Sequence, residues 1–198
     1  MTNDMTTKKE SSKTRCGYVA IVGRPNVGKS TLLNHILMQK VSITSSKPQT
    51  TRHQLLGIKT ESGVQILYVD TPGIHTEEKK AINRYMNRNA KSVLRDVDVI
   101  VFVTDRTEWS KDDKLVAELV KLSPGRLIVA INKMDHPNAD ADRIRNELLS
   151  HEIVVESLGG DVQDIEISAL KKTNLDALEE AILLQAELME LKASVDRP

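Results

Sequence analysis

Short apolar runs and stretches of helical periodicity alternate along this chain. The apolar runs lie at 18–22, 64–69, 97–103, 127–131 and 164–167, with a more mixed strand candidate at 54–60. Helical patterns lie near 29–39, 80–93, 112–122, 139–150 and 174–192. This alternation predicts an α/β fold of three layers, a doubly wound and mostly parallel six-stranded sheet with helices on both faces.

The two ends of the chain depart from this pattern. Residues 1–15 are polar and rich in Lys, Ser and Thr, which predicts a disordered tail. We expect one folded domain over 16–192 and a second tail over 193–198. Three helix starts are also indicated, by the capping-box spacing of Ser110 with Asp113 and of Thr173 with Asp176, and by Asn138 after a proline.

Composition and charge exclude several classes of protein. The 28 basic and 28 acidic residues cancel, so no net charge draws the chain to nucleic acid or membrane. Aromatic residues make up only 3% of the chain, which argues against a base-stacking platform. Cys16 is the single cysteine, so an internal disulfide is impossible. No apolar stretch reaches membrane-spanning length, and we expect a cytoplasmic monomer.

The strongest chemical motif is the segment 23–30, which fits G-x-x-x-x-G-K-[ST] between an apolar run and a helical pattern. This order predicts a P-loop NTPase, with the helix N-terminus facing phosphates. Lys29 would neutralise the outer phosphates as a catalytic group, and the Ser30 hydroxyl would bind Mg²⁺. The residues expected at the phosphates are Gly23, Arg24, Pro25, Asn26, Val27, Gly28, Lys29, Ser30 and Thr31.

A second motif, Asp70-Thr71-Pro72-Gly73, follows the apolar run 64–69. We expect Asp70 to hold Mg²⁺ through water and the Gly73 N–H to meet the terminal phosphate during catalysis. Alone, D-x-x-G is also a good turn, but its position after a phosphate loop favours the nucleotide interpretation. Thr71, Pro72 and Ile74 complete the contacts expected here.

The segment 44–53 between these motifs is rich in hydroxyl groups and lacks acids. Such a loop can become ordered when a terminal phosphate and Mg²⁺ recruit a threonine. We predict that Thr51 is this threonine, both a metal ligand and a catalytic group. The alternative is an ordinary flexible loop.

Guanine selection is predicted from Asn132-Lys133-Met134-Asp135, which follows the run 127–131. The Asp135 carboxylate can accept hydrogen bonds from N1–H and the exocyclic amine of guanine, a donor pair that adenine lacks. Asn132 is expected to brace neighbouring loops, and the Lys133 stem to lie over the base.

The last motif, Ser168-Ala169-Leu170, follows the run 164–167. A backbone N–H here could reach the guanine O6. So short a motif gains its weight from its order in the chain.

The four motifs in this order resemble the translation-factor class of GTP-binding switch proteins, and residues 16–122 resemble the Era family of ribosome-assembly GTPases. The matching stretches are 16–22 with the phosphate loop, 43–45 through 49–53, Tyr68 to His75, and Trp109-Ser110-Lys111-Asp112-Asp113. From about residue 126 the chain resembles instead the GTP-binding domain of bacterial translation initiation factor two. Those stretches are 128–135, 146–150, 159–163, 180–187 and 191–193.

These resemblances lead us to predict a chimera, with a seam between about 104 and 127 and a looser core across it. A natural but divergent Era-like protein is the alternative. Both families act on the ribosome or its RNA through further domains, and we expect those domains to be absent here. Lys172 stands where both families usually have glycine, which could weaken guanine binding.

The implied activity is slow, Mg²⁺-dependent hydrolysis of GTP to GDP and phosphate. Hydrolysis is expected to be slow because the position after the D-x-x-G glycine holds Ile74, which cannot orient water by hydrogen bonding. Asn26 resembles an asparagine that some relatives use to hold K⁺, with simple loop packing as the alternative. Two other interpretations stay open: a GTP- or GDP-binding module with negligible turnover, and a protein made to test folding.

Overall fold

The computed structural model describes residues 15–38, 55–61, 63–69, 71, 74, 81–105 and 109–189. Several predicted features lie outside these residues. They are the two tails apart from Arg15, the loop 44–53 with Thr51, and Asp70, Pro72 and Gly73.

The described residues form six strands and five α-helices, which alternate as the sequence predicts except that β2 and β3 follow each other directly. The strands are β1 (Arg15–Val22), β2 (Leu55–Glu61), β3 (Val64–Val69), β4 (Val99–Asp105), β5 (Arg126–Asn132) and β6 (Gln163–Glu166). The helices are α1 (Lys29–Ile36), α2 (Ala81–Arg95), α3 (Lys111–Lys121), α4 (Ala141–Ser150) and α5 (Leu175–Leu188). A 3₁₀ turn at Glu156–Leu158 precedes β6.

The strands form one sheet in the order β2-β3-β1-β4-β5-β6. Among the described strands, only the edge strand β2 runs antiparallel to its neighbour, and the other pairs are parallel. The predicted mostly parallel, six-stranded sheet is therefore confirmed. Because β1, β4, β5 and β6 are parallel, their carboxyl ends meet at one edge, which is where such folds bind ligands.

Helices cover both faces of the sheet. Successive residues of a strand point to opposite faces, so the apolar central strands need cover on both sides. On one face α1 and α5 pack against β1, β4 and β5, through residues such as Leu32, Leu178 and Val101. On the other face α2, α3 and α4 cover Phe102 and Ile131. No described helix is both long enough and apolar enough to span a bilayer.

The predicted seam lies between β4 and β5, and the sheet is continuous there. The two strands pair in parallel from Val99 with Arg126 to Asp105 with Asn132. Phe102 and Val129, which are neighbours in this register, are fully buried. The looser packing expected at the seam remains a prediction that only a stability measurement tests.

Helix starts show where local spacing succeeds and fails. Ser110 and Asp113 form the predicted capping box of α3. Asn138 is not the cap of α4, because the Asp140 carboxylate accepts the Arg143 N–H at 2.9 Å instead. Thr173 is not the cap of α5, because its N–H and C=O pair with Ser168 and the helix begins after Asn174.

Candidate nucleotide site

One buried asparagine joins three of the predicted motifs at the carboxyl edge of the sheet. The Asn132 side chain donates from Nδ2 to the Val27 carbonyl at 2.7 Å. Its Oδ1 accepts the Ala169 N–H at 2.9 Å. The phosphate loop (23–30), the base motif (132–135) and the loop 168–170 are therefore in contact. The prediction that Asn132 braces neighbouring loops is confirmed.

Two glycines of the phosphate loop occupy space that a side chain would fill. Gly28 has φ +104°, and a Cβ there would lie 2.4 Å from Asn132 Nδ2. A Cβ on Gly23 would lie 2.3 Å from the Val103 carbonyl oxygen. The loop is thus packed directly against the ends of β4 and β5, and it needs glycine at both positions.

Helix α1 begins in a form suited to anions. Its N-cap is Gly28, which has no side chain to cap the first N–H groups, and the first turn of the helix contains no acidic residue. The first N–H groups of a helix lack partners within it and attract anions. Lys29 Nζ lies over the loop, donating to the carbonyls of Gly23 and Arg24 at 2.7 Å each. Ser30 and Thr31 are exposed at the same end.

The predicted base-binding carboxylate is held in a fixed orientation. The Ser168 hydroxyl donates to Asp135 Oδ1 at 2.7 Å and accepts the Lys171 N–H at 3.0 Å. Met134 N–H donates to the Ile167 carbonyl at 3.1 Å, which ties the base motif to the end of β6. Leu170 is 72% exposed at the rim.

The turn that follows Leu170 accepts two non-glycine residues in the left-handed region. Lys172 has φ +59° and Asn174 has φ +55°. Left-handed backbone is unfavourable for lysine, so Lys172 carries the strain that glycine would avoid. The Ser168–Thr173 backbone pair is nevertheless formed.

Thr71 of the second motif and Ile74, which follows the motif, face the protein interior. Thr71 is buried and its hydroxyl donates to the Ile21 carbonyl. Ile74 is fully buried in the cluster under α2 and α3, with Val69 and Ala20. The Ile74 side chain thus packs in the core, and its predicted nucleotide contact remains untested.

Burial makes Ile74 important for stability. We expect Ile74→Ala to lower the free energy of unfolding by about 2–5 kcal/mol, measured by urea denaturation, because it leaves a cavity. The single-turnover hydrolysis rate of the folded protein should stay nearly unchanged. Ile58→Ala, at a 51% exposed position of β2, is the matched control and should cost less than about 0.5 kcal/mol. A large fall in the hydrolysis rate of folded Ile74→Ala would contradict this prediction.

Sequence reasoning missed two carboxylates beside the phosphate loop. Arg24 binds Asp105 at 2.8 Å and Asp113 at 2.9 Å, and Lys133 Nζ also binds Asp105 at 2.8 Å. Asp105 ends a buried strand at the site edge, a position that could have drawn attention to it. The sequence spacing predicts that Asp113 caps α3, but it does not predict the contact between Asp113 and Arg24.

A model of the family described as 50S ribosome-binding GTPase matches residues 18–133, more than half of the chain. The chain belongs to this GTPase family. The matched residues include the phosphate loop, the described part of the second motif, and the base motif as far as Lys133.

Within this family the chain is similar to Era. GTPase Era of Pseudomonas entomophila strain L48 is 57% identical over 173 residues, 87% of this chain and 56% of that protein. This chain thus spans little more than half the length of the curated relative. The alignment necessarily crosses the predicted seam, and the comparisons give no evidence for an initiation-factor segment.

Solved Era structures share the fold. Era in complex with MgGDPNP and nucleotides 1506–1542 of 16S ribosomal RNA has a TM-score of 0.69 and 36% identity, covering 93% of this chain and 59% of that one. An Aquifex aeolicus Era variant bound to GDP·AlF₄⁻ has a TM-score of 0.68 and 37% identity, covering 92% and 58%. These values show that the chain shares the fold of the Era structures over most of its length.

Proposed function

We propose that this chain binds guanine nucleotide and hydrolyses GTP to GDP and phosphate. The observation that carries the proposal is the Asn132 bridge, because it fixes the phosphate loop and the Asp135 loop in one site. Phosphate binding alone would fit many nucleotides, whereas a carboxylate oriented by Ser168 favours guanine. Membership of the GTPase family supports the same activity.

The residues of this chain would act mainly by positioning and by neutralising charge. Lys29 and the first N–H groups of α1 would stabilise negative charge that develops on the phosphate oxygens. On binding, Lys29 would exchange the Gly23 and Arg24 carbonyls for phosphate oxygens. The predicted roles of Thr51 and Gly73 are kept as part of this proposal.

Magnesium fits the described part of the site through Ser30, whose side chain is exposed at the start of α1. A hydroxyl oxygen beside phosphates is a donor that Mg²⁺ accepts. The other two proposed holders are Thr51 and Asp70. When bound, the metal would neutralise charge on the outer phosphates.

Isothermal calorimetry with nucleotide-free protein tests the binding step. We expect binding heat when GDP is titrated and none when ADP is titrated at the same concentration. Absence of binding heat with both nucleotides would overturn the proposal.

Single-turnover phosphate release from GTP tests hydrolysis. Lys29→Ala should abolish release, while Lys121→Ala, in a surface ion pair with Glu152, should preserve it. The same assay in K⁺ instead of Na⁺ tests the proposed K⁺ near Asn26.

A GTP- or GDP-binding module is a second candidate, favoured by the burial of Ile74 in the core. A buried aliphatic side chain cannot orient the attacking water. Under this alternative, the protein binds GDP as tightly as a GTP-hydrolysing protein would, but single-turnover phosphate release stays at the uncatalysed rate.

The predicted hybrid origin rests only on the sequence stretches in 126–198 that resemble initiation factor two. It predicts a lower melting temperature than that of an isolated Era G domain. An equal or higher melting temperature favours the alternative of a single Era-like domain. The monomeric state and cytoplasmic location are retained as proposals.

A further inference from the structure

The side chain of Arg24 leaves the phosphate loop and enters a pair of buried carboxylates. Its Nε lies 2.9 Å from Asp113 Oδ2, and its terminal nitrogen lies 2.8 Å from Asp105 Oδ1. The two acidic side chains are 0% and 2% exposed, and that of Arg24 is 19% exposed. Charged hydrogen bonds in such a buried setting are among the stronger ones in proteins.

Each carboxylate is itself fixed by a second contact. Asp113 Oδ2 accepts the Ser110 N–H at 3.0 Å and the Ser110 hydroxyl at 2.8 Å, in the capping box of α3. Asp105 ends β4, and its other oxygen accepts Lys133 Nζ of the base motif at 2.8 Å. Arg24 is therefore linked through Asp105 to Lys133, in addition to the Asn132 bridge.

We propose, on the basis of the function proposed above, that Arg24 is a positioning residue that holds the phosphate loop against β4 and α3 and so slows nucleotide release. It acts through Asp105 and Asp113. Its guanidinium is directed to these two carboxylates, where its planar fork can bind both at once.

The Asp113 carboxyl group is buried, and burial disfavours its ionised form. Burial, as the main cause, raises the pKa of the Asp113 carboxyl, although its bonds to Ser110 and Arg24 oppose the rise. A raised carboxyl pKa means that the folded protein holds this proton more tightly than the unfolded chain does. The ionised Asp113 therefore contributes unfavourably to stability once the pH exceeds its folded pKa. The same ionised form is the one that pairs with Arg24.

The dissociation rate of a fluorescent GDP analogue, measured by stopped flow at fixed Mg²⁺, tests the proposal. Arg24→Ala should release the analogue about tenfold faster, because charged hydrogen bonds of this kind are lost. Asp113→Asn should also accelerate release, because a neutral amide oxygen holds the Arg24 guanidinium more weakly than a carboxylate does. Combining the two should add little to Arg24→Ala, because both substitutions act on the same contact. Arg24→Lys should restore only part of the retention, since lysine lacks the fork.

Arg145 offers a matched control, an arginine bound by Asp142, Asp164 and Glu166 on α4 and β6. Arg145→Ala should lower the melting temperature and leave analogue release unchanged. The proposal is overturned if Arg24→Ala and Asp113→Asn both release the analogue within twofold of the wild-type rate. It is equally overturned if Arg145→Ala accelerates release as much as Arg24→Ala does. Wild-type protein that does not bind the analogue would instead overturn the proposed function itself.

Discussion

Replacing Asp135 by Asn is expected to lower the affinity for GDP by roughly 10⁴-fold and to create affinity for xanthosine diphosphate. The carboxylate would accept two donors of guanine, whereas an amide would turn a donor toward one of them. Xanthine carries a carbonyl at that position, which suits the amide N–H. The Ser168 hydroxyl, which donates to Asp135 Oδ1, can still donate to the amide oxygen and hold the side chain in place.

Calorimetric titration of nucleotide-free protein with GDP and with xanthosine diphosphate measures this change. Asp140→Asn is the matched control, because it makes the same substitution at the cap of α4 and asparagine caps helices equally well. The control should bind GDP as the wild type does. A GDP affinity of Asp135→Asn within tenfold of the wild type would contradict the assignment of Asp135 to the base.

Replacing Gly28 by Ala is expected to abolish detectable nucleotide binding, with a loss of at least about a hundredfold in affinity. The added Cβ would lie 2.4 Å from Asn132 Nδ2, so the Asn132–Val27 hydrogen bond must break or the loop must shift. The φ of +104° adds left-handed strain. Together these effects should reduce the free energy of unfolding by about 3 kcal/mol.

Gly159→Ala separates the effect of backbone strain from that of a steric clash. Gly159 also has a left-handed φ, +85°, but no atom lies within 4 Å of its added Cβ. We expect this control to lose about 1 kcal/mol of stability and no nucleotide affinity. Urea denaturation and GDP calorimetry on both variants make the comparison. Equal effects of the two substitutions would show that contact with Asn132 is unimportant.

The fold was largely predictable because its local patterns agree with its tertiary structure. Apolar runs such as 97–103, which is interrupted only by Asp98, predict strands buried on both faces, and β4 is buried along its whole length. Element ends were less predictable. The pattern extends the first helix to residue 39, yet α1 ends at Ile36. Thr173 has the spacing of a cap, but its backbone is used by the loop at Ser168.

The candidate site was predictable in part for the same reason. The phosphate loop and the base motif have distinctive residue orders, and the carboxyl ends of parallel strands bring them together. Nothing in local order reveals that the Ile74 side chain would be fully buried, because burial depends on α2 and α3 packing over it. The partners of Arg24 are similarly hidden, since Asp113 lies 89 residues away in sequence.

The sequence by itself determined the class of fold, the phosphate loop and the carboxylate expected to select guanine. These follow from short-range periodicity and from residue types at fixed spacing. The tertiary structure alone decided which side chains connect these parts: Asn132 between Val27 and Ala169, Ser168 on Asp135, and Arg24 between Asp105 and Asp113. Such contacts join residues distant in the chain, and their formation depends on the packing of whole strands and helices, which no local pattern encodes.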